Sequence, residues 1–130
     1  MNPVLVVAVL ATIQFFVFSF LTGRARAKSG VRAPAIVGDE QFERAFRVQM
    51  NTLEQLVCFL PALLIAGRFW SPTLVSLLGV VYLAGRLVYR RAYLMDPSKR
   101  VPGFLLSVVP TFLLLIAALA GALIGTPVSS

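Results

Sequence analysis

The chain has no histidine and a single cysteine, Cys58, among its 130 residues. Without imidazole, Ser-His-Asp and Cys-His catalytic arrangements are excluded, as are imidazole-based metal sites. A lone thiol permits neither an intrachain disulfide nor a cysteine-based zinc cluster. Cys58 itself, set in an apolar stretch, reads as an inert packing residue. Charge is scarce too: 13% of residues are charged, against about a quarter in soluble domains. Acids are the rarer sign, 5 Asp and Glu against 12 Lys and Arg. The resulting net charge of +7 raises the question of a nucleic-acid partner, but the placement of the bases argues for none. Arg24, Arg26, Lys28 and Arg32 follow the first apolar run, and Arg90, Arg91, Lys99 and Arg100 flank the third. Bases at the ends of apolar runs are a signature of membrane topology. Any proton transfer must rely on Tyr, carboxylates, Arg-stabilised anions or a group that the substrate brings, and no metal is expected.

What the chain has in abundance is apolar sequence, 58% of its residues. Four runs are long enough to cross a bilayer core. They predict an all-α, integral-membrane bundle of four transmembrane helices, one domain over residues 1–130, with spans near 3–22, 42–66, 73–94 and 102–124. The first run lacks a basic leader and a clean cleavage site, so it reads as a retained span rather than a signal peptide. Residues 23–41 form a basic loop, with Asp39 or Glu40 opening the second helix. Trp70 reads as an interfacial aromatic in a short turn. Pro97 ends the third helix, and Pro110 is expected to kink the fourth. Four spans put the 23–41 and 95–101 segments on one side, and their Lys and Arg assign that side to the cytoplasm. In a bacterium the chain would sit in the inner (plasma) membrane with its polar chemistry facing the cytoplasm.

That chemistry starts on the second helix. At about 100° per residue, Glu43, Arg47, Asn51 and Glu54 share one stripe. Glu43 and Arg44, near the helix start, read as structural ion-pairing residues. Arg47, Asn51 and Glu54 lie deeper, where burial costs more, and read as a ligand site. Gln49 points to nearly the opposite side and would meet a different neighbour, such as another subunit. On the third helix Tyr82, Arg86, Tyr89 and Tyr93 recur at i, i+4, i+7 and i+11 on one face. Tyr93 suits an interfacial anchor as well as it suits a functional role. Arg86 lies two turns inside the span, counts among the ligand-binding residues, and needs a partner, for which Glu54 is the candidate. Cations, an acid, an amide and phenols together suit a small ligand with two carboxylates and one amine, because Arg grips carboxylates through charge-assisted hydrogen bonds. In the fourth helix, Ala117-x-x-x-Gly121-x-x-x-Gly125 offers small residues for close helix approach.

The pattern Phe42-Glu43-Arg44-x-Phe46-Arg47-x-Gln49-x-Asn51-x-x-Glu54 resembles the signature of the membrane-associated proteins in eicosanoid and glutathione metabolism. The similarity continues through Gly85-Arg86-x-x-Tyr89-x-x-x-Tyr93 to Lys99-Arg100 and covers all four spans. It implies a microsomal glutathione transferase-like homotrimer that binds glutathione as cosubstrate at subunit interfaces. On that resemblance Arg47, Asn51, Glu54, Tyr89 and Tyr93 contact glutathione. Arg26 and Gln49 reach it across the interface, and Arg100 stabilises its thiolate. Gln55 stands where the leukotriene-forming branch has tyrosine, and Ala27 where it has a second arginine. The implied activity is therefore a general, detoxifying glutathione transferase or peroxidase acting on hydrophobic electrophiles or lipid hydroperoxides from the surrounding membrane lipid. Two other readings stay open on the residues: a non-enzymatic, lipid-presenting or scaffold member of the superfamily, and a small membrane transporter that uses intramembrane acids.

Overall fold

In the computed structural model, which describes residues 1–127, the chain is built from four long helices. They are α1 (Pro3–Ser29), α2 (Glu40–Phe69), α3 (Pro72–Met95) and α4 (Val101–Ile124), with a single 3-10 turn at Pro97–Lys99. All four are long and apolar enough to cross a membrane, as the four apolar runs predict. Each start follows local chemistry. The Asn2 side chain accepts from the Leu5 N–H, Asp39 from the Phe42 N–H and Ser71 from the Leu74 N–H, which satisfies donors that a helix start leaves open. Helix α1 outruns its expected end at Thr22 and carries Arg24, Arg26 and Lys28 on its last two turns. The charges end the apolar run but not the helix. Gly30, at φ 78°, ends it, because a left-handed cap is the conformation glycine adopts without a Cβ penalty.

Helix α4 packs on α2 and most extensively on α3, while α1 covers the other side of α2 and α3. Buried apolar residues fill the centre: Val7 and Ala11 of α1, Phe59, Leu63 and Ala66 of α2, Val75 of α3, Leu114 and Ala118 of α4. The outer faces carry Phe16, Phe20, Leu74, Phe112 and Leu119, all well exposed on this chain. So large an apolar exterior suits lipid or another membrane chain, not water. Cys58 lies on that exterior, so it does not pack inside the bundle.

Glycine sets the closest approach, between α3 and α4. A Cβ on Gly103 would lie 2.4 Å from the Tyr89 backbone nitrogen, and one on Gly85 2.7 Å from the Leu106 carbonyl carbon. Neither contact is tolerable, so the two backbones meet only because both positions are glycine. This brings Ser107 and Phe104 of α4 against Arg86 and Tyr89 of α3. The small-residue stripe of α4 is also spent inside the chain. Gly121 packs on Phe69, where a Cβ would come within 2.6 Å. The Ala117 carbonyl accepts the Trp70 indole N–H at 2.8 Å, and Gly125 is a left-handed helix cap.

The end of the bundle that holds the 30–39 and 96–100 segments is tied by Arg44. Its guanidinium donates to the carbonyls of Leu94 and Met95 at the end of α3 and pairs with Glu40 one turn back. The Glu43 carboxylate accepts the Gly38 N–H. Both residues therefore have local structural partners.

Candidate active site

Between α2, α3 and the start of α4 lies a cavity of about 560 Å³ lined by Arg47, Asn51, Tyr89, Tyr93, Arg100, Val101 and Phe104. Helix periodicity explains the set. Arg47 and Asn51 are one turn apart on α2, as are Tyr89 and Tyr93 on α3. Arg100 comes from the polar turn, where its guanidinium also donates to the Pro97 carbonyl at 2.9 Å. The tyrosine rings lie 5.6 Å apart, and Tyr89 faces Phe104 at 6.4 Å. Two guanidiniums, two phenols and one amide face the space; among the described residues no carboxylate lines it. A wall so dominated by donors and positive charge suits an anionic guest.

Arg86 stands behind this wall, fully buried. Its Nε donates to Ser107 Oγ at 2.9 Å, and one terminal nitrogen donates to Asn51 Oδ1 at 2.8 Å and Thr52 Oγ1 at 3.2 Å. The guanidinium lies 4.3 Å from the centre of the Tyr89 ring. The expected Arg86–Glu54 pair is thus overturned: every partner of Arg86 is neutral, and Glu54 is exposed. The reason is angular. Arg86 approaches α2 between Asn51 and Thr52, and from that bearing Glu54 lies roughly 110° around the helix.

The remaining candidates lie off the cavity of this single chain. Arg26 donates to the carbonyls of Ala35 at 2.7 Å and Val31 at 3.4 Å and rests 4.5 Å from the centre of the Phe42 ring, so it organises the 30–39 loop. Gln49 is half-buried on another side of α2. Tyr82, expected on the same stripe as Arg86, stacks on Phe59 with ring centres 3.8 Å apart, deep in the core. Sequence reasoning did not single out Thr52 and Ser107, the hydroxyls that hold Arg86, or Val101 and Phe104, the apolar part of the wall. Thr52 had one available signal, its place beside Asn51 on a helix that faces a buried arginine.

Comparison with known proteins decides the family: the MAPEG family model matches residues 4–120. The chain belongs to the MAPEG family. MAPEG is a membrane family, and with its four apolar helices this member is an integral multi-pass membrane protein. An uncharacterized protein of Synechocystis is 45% identical over 121 residues, covering 93% of this chain and 88% of that protein. Microsomal glutathione S-transferase 2 of Homo sapiens is 38% identical over 101 residues, 78% of this chain and 69% of its own. Leukotriene C4 synthase of Cavia porcellus is 34% identical over 123 residues, 90% and 82% of the two chains. The MAPEG resemblance carried by the α2 and α3 motifs is therefore a true membership.

Proposed function

We propose that this chain, a single four-helix membrane domain, is a membrane-bound glutathione transferase that also reduces lipid hydroperoxides at the same site. The observation that supports this reading most is the cavity wall of Arg47, Asn51, Tyr89, Tyr93 and Arg100, rich in donors and carrying two positive charges. Glutathione has two carboxylates and an ionisable thiol, and such a wall suits all three. In this reading Arg47, Asn51 and the two tyrosines hold the peptide, and Arg100 stabilises the thiolate. Three such chains form a homotrimer, in which Arg26, Gln49 and Glu54 approach the cosubstrate from subunit boundaries. The apolar exterior lets a hydrophobic electrophile or lipid hydroperoxide arrive through the bilayer, with the site on the cytoplasmic side.

The chemistry follows from charge. A free thiol titrates near about 8.5, and an adjacent guanidinium lowers that value by favouring the anion. In the transferase reaction the thiolate sulfur bonds to an electrophilic carbon, and the leaving group departs with its electron pair or, for an epoxide, the ring oxygen takes up a proton. In the peroxidase reaction the sulfur takes the terminal peroxide oxygen and the alkoxide leaves as an alcohol. A second glutathione then displaces water to form the disulfide.

Ultraviolet difference absorbance on adding glutathione to the purified protein is expected to show the thiolate near neutral pH. No such band would end the role given to Arg100. Arg100→Ala should lower turnover on the order of 10²-fold, as for loss of other groups that stabilise a reacting anion, with a much smaller change in glutathione affinity. Conjugation of a model electrophile and reduction of a lipid hydroperoxide, assayed side by side, report the two activities.

A further inference from the structure

Arg86 combines full burial with a purely neutral set of neighbours. Among the described residues the only ion pair is Arg44–Glu40, and one terminal nitrogen of Arg86 has no hydrogen-bond partner at all. A guanidinium placed so carries a desolvation cost that an apolar side chain at that position would not. Its contacts indicate what it does. A guanidinium can only donate, so the Asn51 atom that faces it is the carbonyl oxygen. The amide nitrogen of Asn51, with its two N–H groups, is thereby the half left to the cavity that Asn51 lines. The same guanidinium lies against the face of Tyr89, whose backbone is pressed by Gly103. Ser107 sets the angle of the whole group, accepting from Arg86 Nε and donating to the Gly103 carbonyl at 3.0 Å.

We propose that Arg86, without touching the ligand, is a positioning residue that acts through Asn51, turning its N–H groups toward an oxygen of glutathione. The proposal rests on the glutathione reading above. It assigns to Arg86 the choice of which half of the amide the ligand meets: a donor for a carboxylate or peptide carbonyl, never an acceptor. Lysine at this position can donate to Asn51 but cannot also span to Ser107 and lie flat on Tyr89.

The test is a double-mutant cycle on the purified full chain, titrated calorimetrically with S-methylglutathione. The methylated sulfur cannot ionise, so binding is read apart from thiolate formation. Arg86→Met and Asn51→Ala are each expected to weaken binding about tenfold, and the double variant no more than either alone, because coupled residues are not additive. A purely structural Arg86 would lower the thermal midpoint and weaken binding equally in both backgrounds, and that additive result overturns the proposal. So does an unchanged dissociation constant in Arg86→Met. Should Arg86→Met not fold, Ser107→Ala releases the Nε end alone. It is expected to cost about twofold to threefold in affinity, a fraction of the hydrogen bond it removes, and only while Asn51 is present. The same loss in the Asn51→Ala background overturns the role. Wild-type protein that does not bind S-methylglutathione overturns the glutathione reading and this proposal together, whereas wild-type binding with an additive cycle removes Arg86's role alone.

Discussion

Gly103 and Gly23 show how much a single hydrogen atom in place of a methyl can matter. A Cβ at Gly103 overlaps the Tyr89 backbone, whereas at Gly23 nothing lies within 4 Å. Gly103→Ala is therefore expected to force α4 away from α3, costing about 1–3 kcal/mol or more, and to loosen Tyr89 and with it glutathione binding. Gly23→Ala, within α1, should be neutral or stabilising by up to about 1 kcal/mol. Thermal unfolding of the two variants in detergent checks both. At this scale the sequence was only partly legible. Arg47, Asn51, Tyr89, Tyr93 and Arg100 stand out because ionisable and amide groups are rare in an apolar chain, and all five line the cavity. Ser107 does not stand out, since a hydroxyl in a membrane helix commonly bonds to its own preceding turn. Ser107 does that too, to the Gly103 carbonyl, and nothing in the spacing shows that its oxygen also accepts from α3. Arg86 was legible as an anomaly, but its partner was not, because charge complementarity pointed to Glu54 while the helix phase delivered Asn51 and Thr52.

At the scale of elements, apolar length located all four helices, and the errors fell at their ends. Helix α1 runs seven residues past its apolar span, because a helix does not have to end where the membrane core does. Arg24, Arg26 and Lys28 continue the helix beyond the apolar run to Gly30. The junction of α2 and α3 rests on Arg44, which bonds two terminal carbonyls that α3 cannot satisfy by itself. Arg44→Ala is expected to cost about 1–2 kcal/mol, whereas Glu40→Ala, which removes an exposed ion-pair partner, should cost less than about 1 kcal/mol. Chemical denaturation of both separates the two contributions. The turn after α3 carries its own pH dependence. The Ser98 hydroxyl and N–H both donate to Asp96 and hold its carboxyl below the ordinary 3.8. A depressed folded value means the turn's contribution is complete above the ordinary carboxylate range and fades as pH falls through the folded value. The protection factor of the Ser98 amide should therefore fall below about pH 4, and Ser98→Ala should move that acid sensitivity up toward the ordinary carboxylate range without abolishing it, because the backbone N–H at position 98 still donates to Asp96.

For the whole molecule, the cavity of one chain collects five of the polar residues singled out from the sequence and leaves Arg26, Gln49 and Glu54 outside it. The homotrimer proposed above, with its shared sites, makes a definite prediction. Arg100→Ala and Arg26→Ala chains, each deficient alone, should regain part of the activity when co-expressed, because some mixed sites then draw both arginines from intact chains. Activity that stays at the level of the separate variants would show that each chain holds its whole site. Arg86 carries a last consequence, for how the protein is made. When α3 leaves the ribosome, its mid-span guanidinium already has Asn51 and Thr52 available on α2, whereas Ser107, 21 residues further along, has not yet emerged. Alone in lipid, such a helix carries a heavy penalty. Helices α2 and α3 are therefore expected to enter the bilayer together as a hairpin, with the arrival of α4 completing the set of partners around the charge.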